Sequence, residues 1–181
     1  MLTIAISTVA ASLNKLTDYV QKNIDKIDSR VNFLICSQRE PNNTVTHLSE
    51  RVKVIKSTES GLSRSRNMLL TNSQSKWLWI QDDDIELEFE ALHQLVDILH
   101  NSNDDLHFIK VKSLENHSAF YKNYAFHSSH KLTNSLKISS IEIIIRREFV
   151  NANNIKFDTN LGLGTKLPCC EENKFILDLK Y

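Results

Sequence analysis

A chain of 181 residues, 41% hydrophobic and 24% charged, has the make-up of one globular domain large enough to bury a core. Its 22 basic and 22 acidic residues cancel, which argues against a general nucleic-acid binder, a class that shows a basic excess or stripe. No stretch approaches the roughly 20 apolar residues of a membrane helix, and Met1–Ile6 lacks the basic segment and long apolar run of a secretory signal. Cytoplasm is therefore the expected compartment, with peripheral association at the inner membrane face left open.

Leu2 to Ser7 is apolar and reads as a buried strand. Ser12 to Ile27 places Leu13, Leu16, Tyr19, Val20 and Ile24 at helical spacing, with Ser12 as the expected cap. Val31 to Cys36 is a second strand, and Arg39 to Ser49, with Pro41-Asn42-Asn43, reads as a polar loop. Val52 to Ile55 is a third strand, Ser63 to Asn72 a helix after Gly61, and Trp77 to Ile80 a fourth strand. Phe89 to Leu99 is an amphipathic helix. Short buried strands alternating with helices predict an α/β fold with a parallel sheet covered on both faces. Ligands in such sheets bind beyond the carboxyl ends of the strands.

The second half is less regular. Leu106 to Val111 and Ser140 to Ile145 read as strands, and Arg146 to Asn154 as a short helix. Ser113 to Leu136 is polar with scattered aromatics; Phe120, Tyr121, Tyr124 and Phe126 are expected to pack beneath a long loop. Asn160 to Thr165 holds two of the three glycines and must be a loop. Glu171 to Leu179 then starts a helix. Cys36 reads as a small core residue, and no cysteine pair has zinc-site spacing. His127 and His130 make only a weak metal signal.

Three clusters carry chemistry. Asp82-Asp83-Asp84 ends the apolar run Lys76 to Gln81. Unit charges about 4 Å apart repel by roughly 4 kcal/mol at an effective dielectric near 20, so a gathered triplet suits a hard cation shared with phosphate. A solvated acidic turn capping the next helix is the competing reading. Gly61-Leu62-Ser63-Arg64-Ser65-Arg66-Asn67 opens a helix, where free N–H groups, the dipole and arginine forks favour an anion. Glu171 and Glu172 either complement a helix dipole or supply a general base.

In this order the clusters resemble inverting family 2 glycosyltransferases of the GT-A fold. The matching segments are Leu2–Ser7, Gly61–Asn67, Trp77–Asp84, and Phe157-Asp158 through Gly164 to Glu171-Glu172-Asn173-Lys174-Phe175. The resemblance implies a mostly parallel Rossmann-like sheet, with a nucleotide-binding half at 1–100 and an acceptor and base half at 101–181. It implies that Asp84, with Asp82, holds a manganese or magnesium ion bridging the donor diphosphate, and that Asp82 and Asp83 hold the ribose or complete the metal shell. Ser7 and Thr8 would line the base, and Gly61, Ser63 and Arg66 would lie near the nucleotide. Glu172, the second acid of its pair with Glu171, would be the base.

The implied reaction moves a sugar from a nucleotide-sugar to a saccharide or lipid-linked saccharide acceptor, in bacterial lipopolysaccharide or capsule synthesis. Ile35-Cys36-Ser37-Gln38 lacks the acid many members carry there, and the segment after Glu172 is short beside other members. That shortness motivates an alternative, a GT-A-like module that binds without turnover. A nucleotidyltransferase ranks last, because Ser7 to Leu13 contains no glycine.

Overall fold

A computed structural model describes residues 1–113, 119–122 and 137–179. Its centre is a seven-stranded sheet of order β3-β4-β2-β1-β5-β7-β6. The strands are β1 (Leu2–Val9), β2 (Val31–Gln38), β3 (Thr44–Ser49), β4 (Val52–Lys56), β5 (Trp77–Asp82), β6 (Leu106–Phe108) and β7 (Ile143–Arg146). The central neighbours β4-β2-β1-β5 pair in parallel. At the flanks β3 runs antiparallel to β4, and β7 antiparallel to β5 and β6. The sheet is thus mixed but mostly parallel, with helices packed on both faces.

Alternation along each strand divides the core in two. Leu2, Ile4 and Ile6 of β1, Trp77 and Trp79 of β5 and Ile144 of β7 meet one helix layer. That layer is α1 (Ala10–Asn23), through Leu13, Leu16 and Val20, and α3 (Phe89–Asn101), through Leu92, Val96 and Leu99. Ala5, Leu78, Ile80, Ile143 and Ile145 face the other layer. There α2 (Leu62–Asn72) contributes Leu69 and Leu70, α4 (Arg147–Ala152) Val150, and α5 (Glu171–Asp178) Phe175 and Ile176. Each such side chain, fully buried, contributes about 1.5–3 kcal/mol. The indoles also bond: Trp77 Nε1 donates to the Leu99 carbonyl (2.9 Å) and Trp79 Nε1 to that of Ile141 (2.8 Å).

Four expectations need correction. The segment Arg39–Ser49 is not all loop, since Thr44–Ser49 forms β3. All six of its residues are exposed, so no buried face marks it as a strand. Helix α1 starts at Ala10 after Val9, without a side-chain cap, and Ser12 lies inside it. The strands expected at 106–111 and 140–145 are shorter. The first stops at Phe108, and Ser140–Glu142 is a 3-10 turn held by the Ser139 N–H on Glu142 Oε2 (2.9 Å). Phe120 and Tyr121 are exposed rather than covered, with the Lys110 and Lys122 ammonium groups 5.0 and 5.4 Å from their ring centroids. Tyr124, Phe126, His127 and His130 lie outside the described residues.

Candidate active site

The site is assembled where the parallel strands end. Register pairs Ser7 of β1 with Asp82 of β5, so Ser7, Thr8 and the acidic triplet share one edge of the sheet. Ser7 is buried and its Oγ accepts from Ser65 Oγ (2.7 Å). The Thr8 hydroxyl donates to Asp83 Oδ2 and fixes the middle aspartate. Asp84 is exposed.

Helix α2 starts against this edge. Gly61, at φ +127°, turns the chain into it, a conformation that strains any residue with a Cβ. Its N–H donates to Gln38 Oε1 (2.7 Å), and Gln38 Nε2 donates to Ser65 Oγ (3.2 Å). Ser63 donates to the Leu161 carbonyl (2.7 Å) and thereby ties α2 to the glycine loop. The Leu62 N–H adds a second tie to the Leu163 carbonyl (3.0 Å). That loop leads to α5 and its two glutamates.

Arg66 joins these parts. Its side chain is 1% exposed. Nη1 donates to Glu171 Oε1 and Glu172 Oε1, both at 3.3 Å, while Nη2 donates to Asp82 Oδ1 (3.2 Å) and Ser140 Oγ (2.7 Å). The guanidinium also lies 5.4 Å from the ring centre of Phe157, which stacks on Phe175 at 4.0 Å. One cation therefore meets three carboxylates from two elements.

The surplus negative charge is visible in the acids. Burial pushes the Glu171 carboxyl above its usual range, and the charges of Glu172 and Asp82 add to that. Asp82 is raised likewise, chiefly by desolvation, with Asp84 and Glu172 contributing and Arg66 opposing. Arg66 Nε and Glu171 Oε2 are buried without a hydrogen-bond partner among the described residues.

Around these groups lies an open cleft of about 870 Å³. Ser7, Thr8, Gly61, Arg66, Asp82, Asp83, Asp84, Glu171 and Glu172 all line it; Ser63 does not. Glu171 is 5% exposed and Glu172 24%, so the second glutamate is the one open to a substrate. Among the described residues no three His, Cys, Asp or Glu side chains cluster tightly enough to hold a metal unaided. A half-exposed Asp82 and an exposed Asp84 instead fit a hard cation that takes its other ligands from phosphate and water.

Sequence reading missed several participants. Gln38 and Ser140 hold the framework, Gln38 through Ser65 of the Gly61–Asn67 run, and Lys122 and Lys137 line the cleft from the second half. Gln38 carried a usable signal, as a polar residue ending β2, the strand beside β1. Ser140 had none, since its link to Arg66 crosses 74 residues.

A family model described as glycosyl transferase family 2 matches residues 11–160. The chain belongs to glycosyl transferase family 2. Members of that family are transferase enzymes, and the match takes in the Gly61 run and the acidic triplet; Ser7, Thr8, Glu171 and Glu172 lie outside it. No curated protein matches the sequence.

Solved structures add the fold. TarS residues 1–349 from S. aureus superposes with a TM-score of 0.68 at 16% identity, covering 99% of this chain and 55% of that one. The same protein in complex with UDP-GlcNAc gives 0.68 at 16%, covering 99% and 53%. The mannosyltransferase PcManGT from Pyrobaculum calidifontis, in complex with GDP-Man and Mn2+, gives 0.56 at 15%, covering 89% and 48%. This family 2 chain therefore has the GT-A fold. It spans about half the length of these structures.

Proposed function

We propose that the cleft binds a nucleotide-sugar with a divalent metal and transfers the sugar, with inversion, to an acceptor hydroxyl. One observation carries the reading: the acidic triplet, the α2 start and the α5 glutamates, far apart in sequence, meet in one cleft through Arg66. The solved complexes of similar fold with UDP-GlcNAc and with GDP-Man and Mn2+ support a nucleotide-sugar donor.

Asp84 and Asp82 would hold the manganese or magnesium ion, which supplies charge neutralisation for a departing diphosphate. The chain's own residues do the rest. Thr8 keeps Asp83 in place, and Asp83 would hold the ribose. Gly61 and the backbone after it present the start of α2 to the nucleotide. Ser7 and Thr8, at the end of β1, line the base. Arg66 is fully buried among the carboxylates and acts by holding Asp82, Glu171 and Glu172 in register.

Glu172 takes the proton from the acceptor hydroxyl as that oxygen attacks the anomeric carbon from the face opposite the diphosphate. Attack from the opposite face in a single displacement inverts the centre, and no covalent bond forms between sugar and enzyme. Glu171, more deeply buried, fixes Arg66 rather than meeting substrate. The acceptor is a saccharide or lipid-linked saccharide of the kind used in bacterial surface polysaccharide.

The test is Glu172→Gln. Donor binding should survive while transfer falls by roughly 10²–10⁴-fold, the range of general-base catalysis. A variant that transfers at the wild-type rate removes Glu172 from the chemistry. A wild-type protein that binds donor yet neither hydrolyses nor transfers it leaves a binding module.

A further inference from the structure

Cys169 and Cys170 are left without a task by the proposed transfer, yet they line its cleft. Both are exposed and unbonded, and the Cys170 thiol points at the Cys169 sulfur 3.4 Å away. Cys170 also sits at φ +70°, a left-handed conformation uncommon for a residue with a side chain. It is the residue that leads into α5: its carbonyl accepts the Lys174 N–H (3.1 Å), and the next two residues are Glu171 and Glu172. Cys169 is anchored by its N–H on the Leu167 carbonyl (2.9 Å). The sulfur pair therefore lies at the root of the helix that carries the base. Cys36 differs, being buried in the core with its thiol pushed up to about 12.

We propose that Cys169 and Cys170 form a reversible dithiol–disulfide site whose closure displaces Glu171 and Glu172. The oxidant is a low-molecular-weight disulfide. One cysteine thiolate attacks it, forming a mixed disulfide and expelling one small thiol. The neighbouring thiolate then attacks the protein-bound sulfur, forming the Cys169–Cys170 bond and expelling the second small thiol. The pair loses two electrons and two protons, and the oxidant gains them.

Adjacent Cα atoms lie about 3.8 Å apart across a trans peptide, short of the roughly 4.4–6.8 Å usual for a disulfide. Closure must therefore shift the backbone at Cys170, and the bond formed is easily reduced. Any backbone shift there moves the two glutamates against Arg66. The effect on turnover rests on the transferase reading; bond formation and helix movement do not.

The full chain is equilibrated in glutathione buffers of rising disulfide fraction, with Cys169→Ser and Cys170→Ser in parallel. Intact mass and peptide mapping read the thiols, hydrogen exchange reads Glu171–Asp178, and transfer is measured on the same samples. The expected product has lost two hydrogens, mapped to Cys169–Cys170 with Cys36 reduced, and reverts with dithiothreitol. Exchange in Glu171–Asp178 should quicken and transfer fall roughly tenfold to a hundredfold; neither serine variant should give the internal disulfide. Stable glutathione adducts in the wild type, a disulfide between two chains, or an internal disulfide that leaves α5 exchange unchanged would overturn the proposal. A reduced wild type without turnover counts against the transferase reading, and mass and exchange still decide the thiol site.

Discussion

Arg66 is 1% exposed and holds three elements together: β5 through Asp82, α5 through Glu171 and Glu172, and the 3-10 turn through Ser140. Removing one member of a buried ion pair leaves charge uncompensated, at a cost of about 3–5 kcal/mol. Arg66→Ala is therefore expected to lower unfolding free energy by about that amount, read from urea midpoints. Arg66→Lys should recover only part of it, because an ammonium cannot reproduce the planar fork. A stability change below about 1 kcal/mol for the alanine variant would show that the carboxylates are solvated instead. The arginine was legible in the sequence as part of an anion-suited helix start. Its partners were not, since sequence spacing says nothing about which side chains cross from α5 and Ser140.

Among elements, the glycine loop before α5 sets where the glutamates stand. Gly162 has φ +94°, and a Cβ there would come within 3.0 Å of both Glu171 Cδ and Ser63 Oγ. Gly162→Ala should destabilise by about 1–3 kcal/mol through backbone strain and should lower transfer more than it weakens donor binding. Wild-type stability and transfer together would mean that the loop adjusts freely. The loop was readable from glycine placement, and α5 as the helix expected from Glu171. Strand β3 was not, because an edge strand with every residue exposed carries no alternation. The turn at Ser140–Glu142 was hidden for a different reason: its buried polar residues serve Arg66 and the backbone rather than a hydrophobic face.

For the whole molecule, the strand-end placement of Asp82 was the most legible feature, since an apolar run stopping at three acids marks both a buried strand and its exit. What the sequence could not convey is how far the acids outnumber their cation once folded. Glu171, raised from its ordinary 4.5, binds its proton more readily in the folded chain than in the unfolded one. Its contribution to stability is thus complete below about 4.5 and lost as pH rises through the folded value. Glu171→Gln, which stays neutral, should gain melting temperature relative to wild type as pH rises from about 4.5 through the folded value. A relative loss over that range would mean that Arg66 stabilises the carboxylate more than burial opposes it.

Joint binding of a nucleoside diphosphate and a divalent cation on the acidic triplet is the proposed step on which the transfer depends. It is tested most directly by thermal unfolding with a panel of nucleoside diphosphates, each with manganese or with chelator. Binding to the native state raises the melting temperature by mass action, about 2.7 kcal/mol of stabilisation at a hundredfold excess over Kd. The expected result is a shift for at least one nucleotide with manganese, much reduced by chelator and abolished in Asp84→Ala. The same shift in Asp84→Ala, or no shift with any nucleotide, would contradict it.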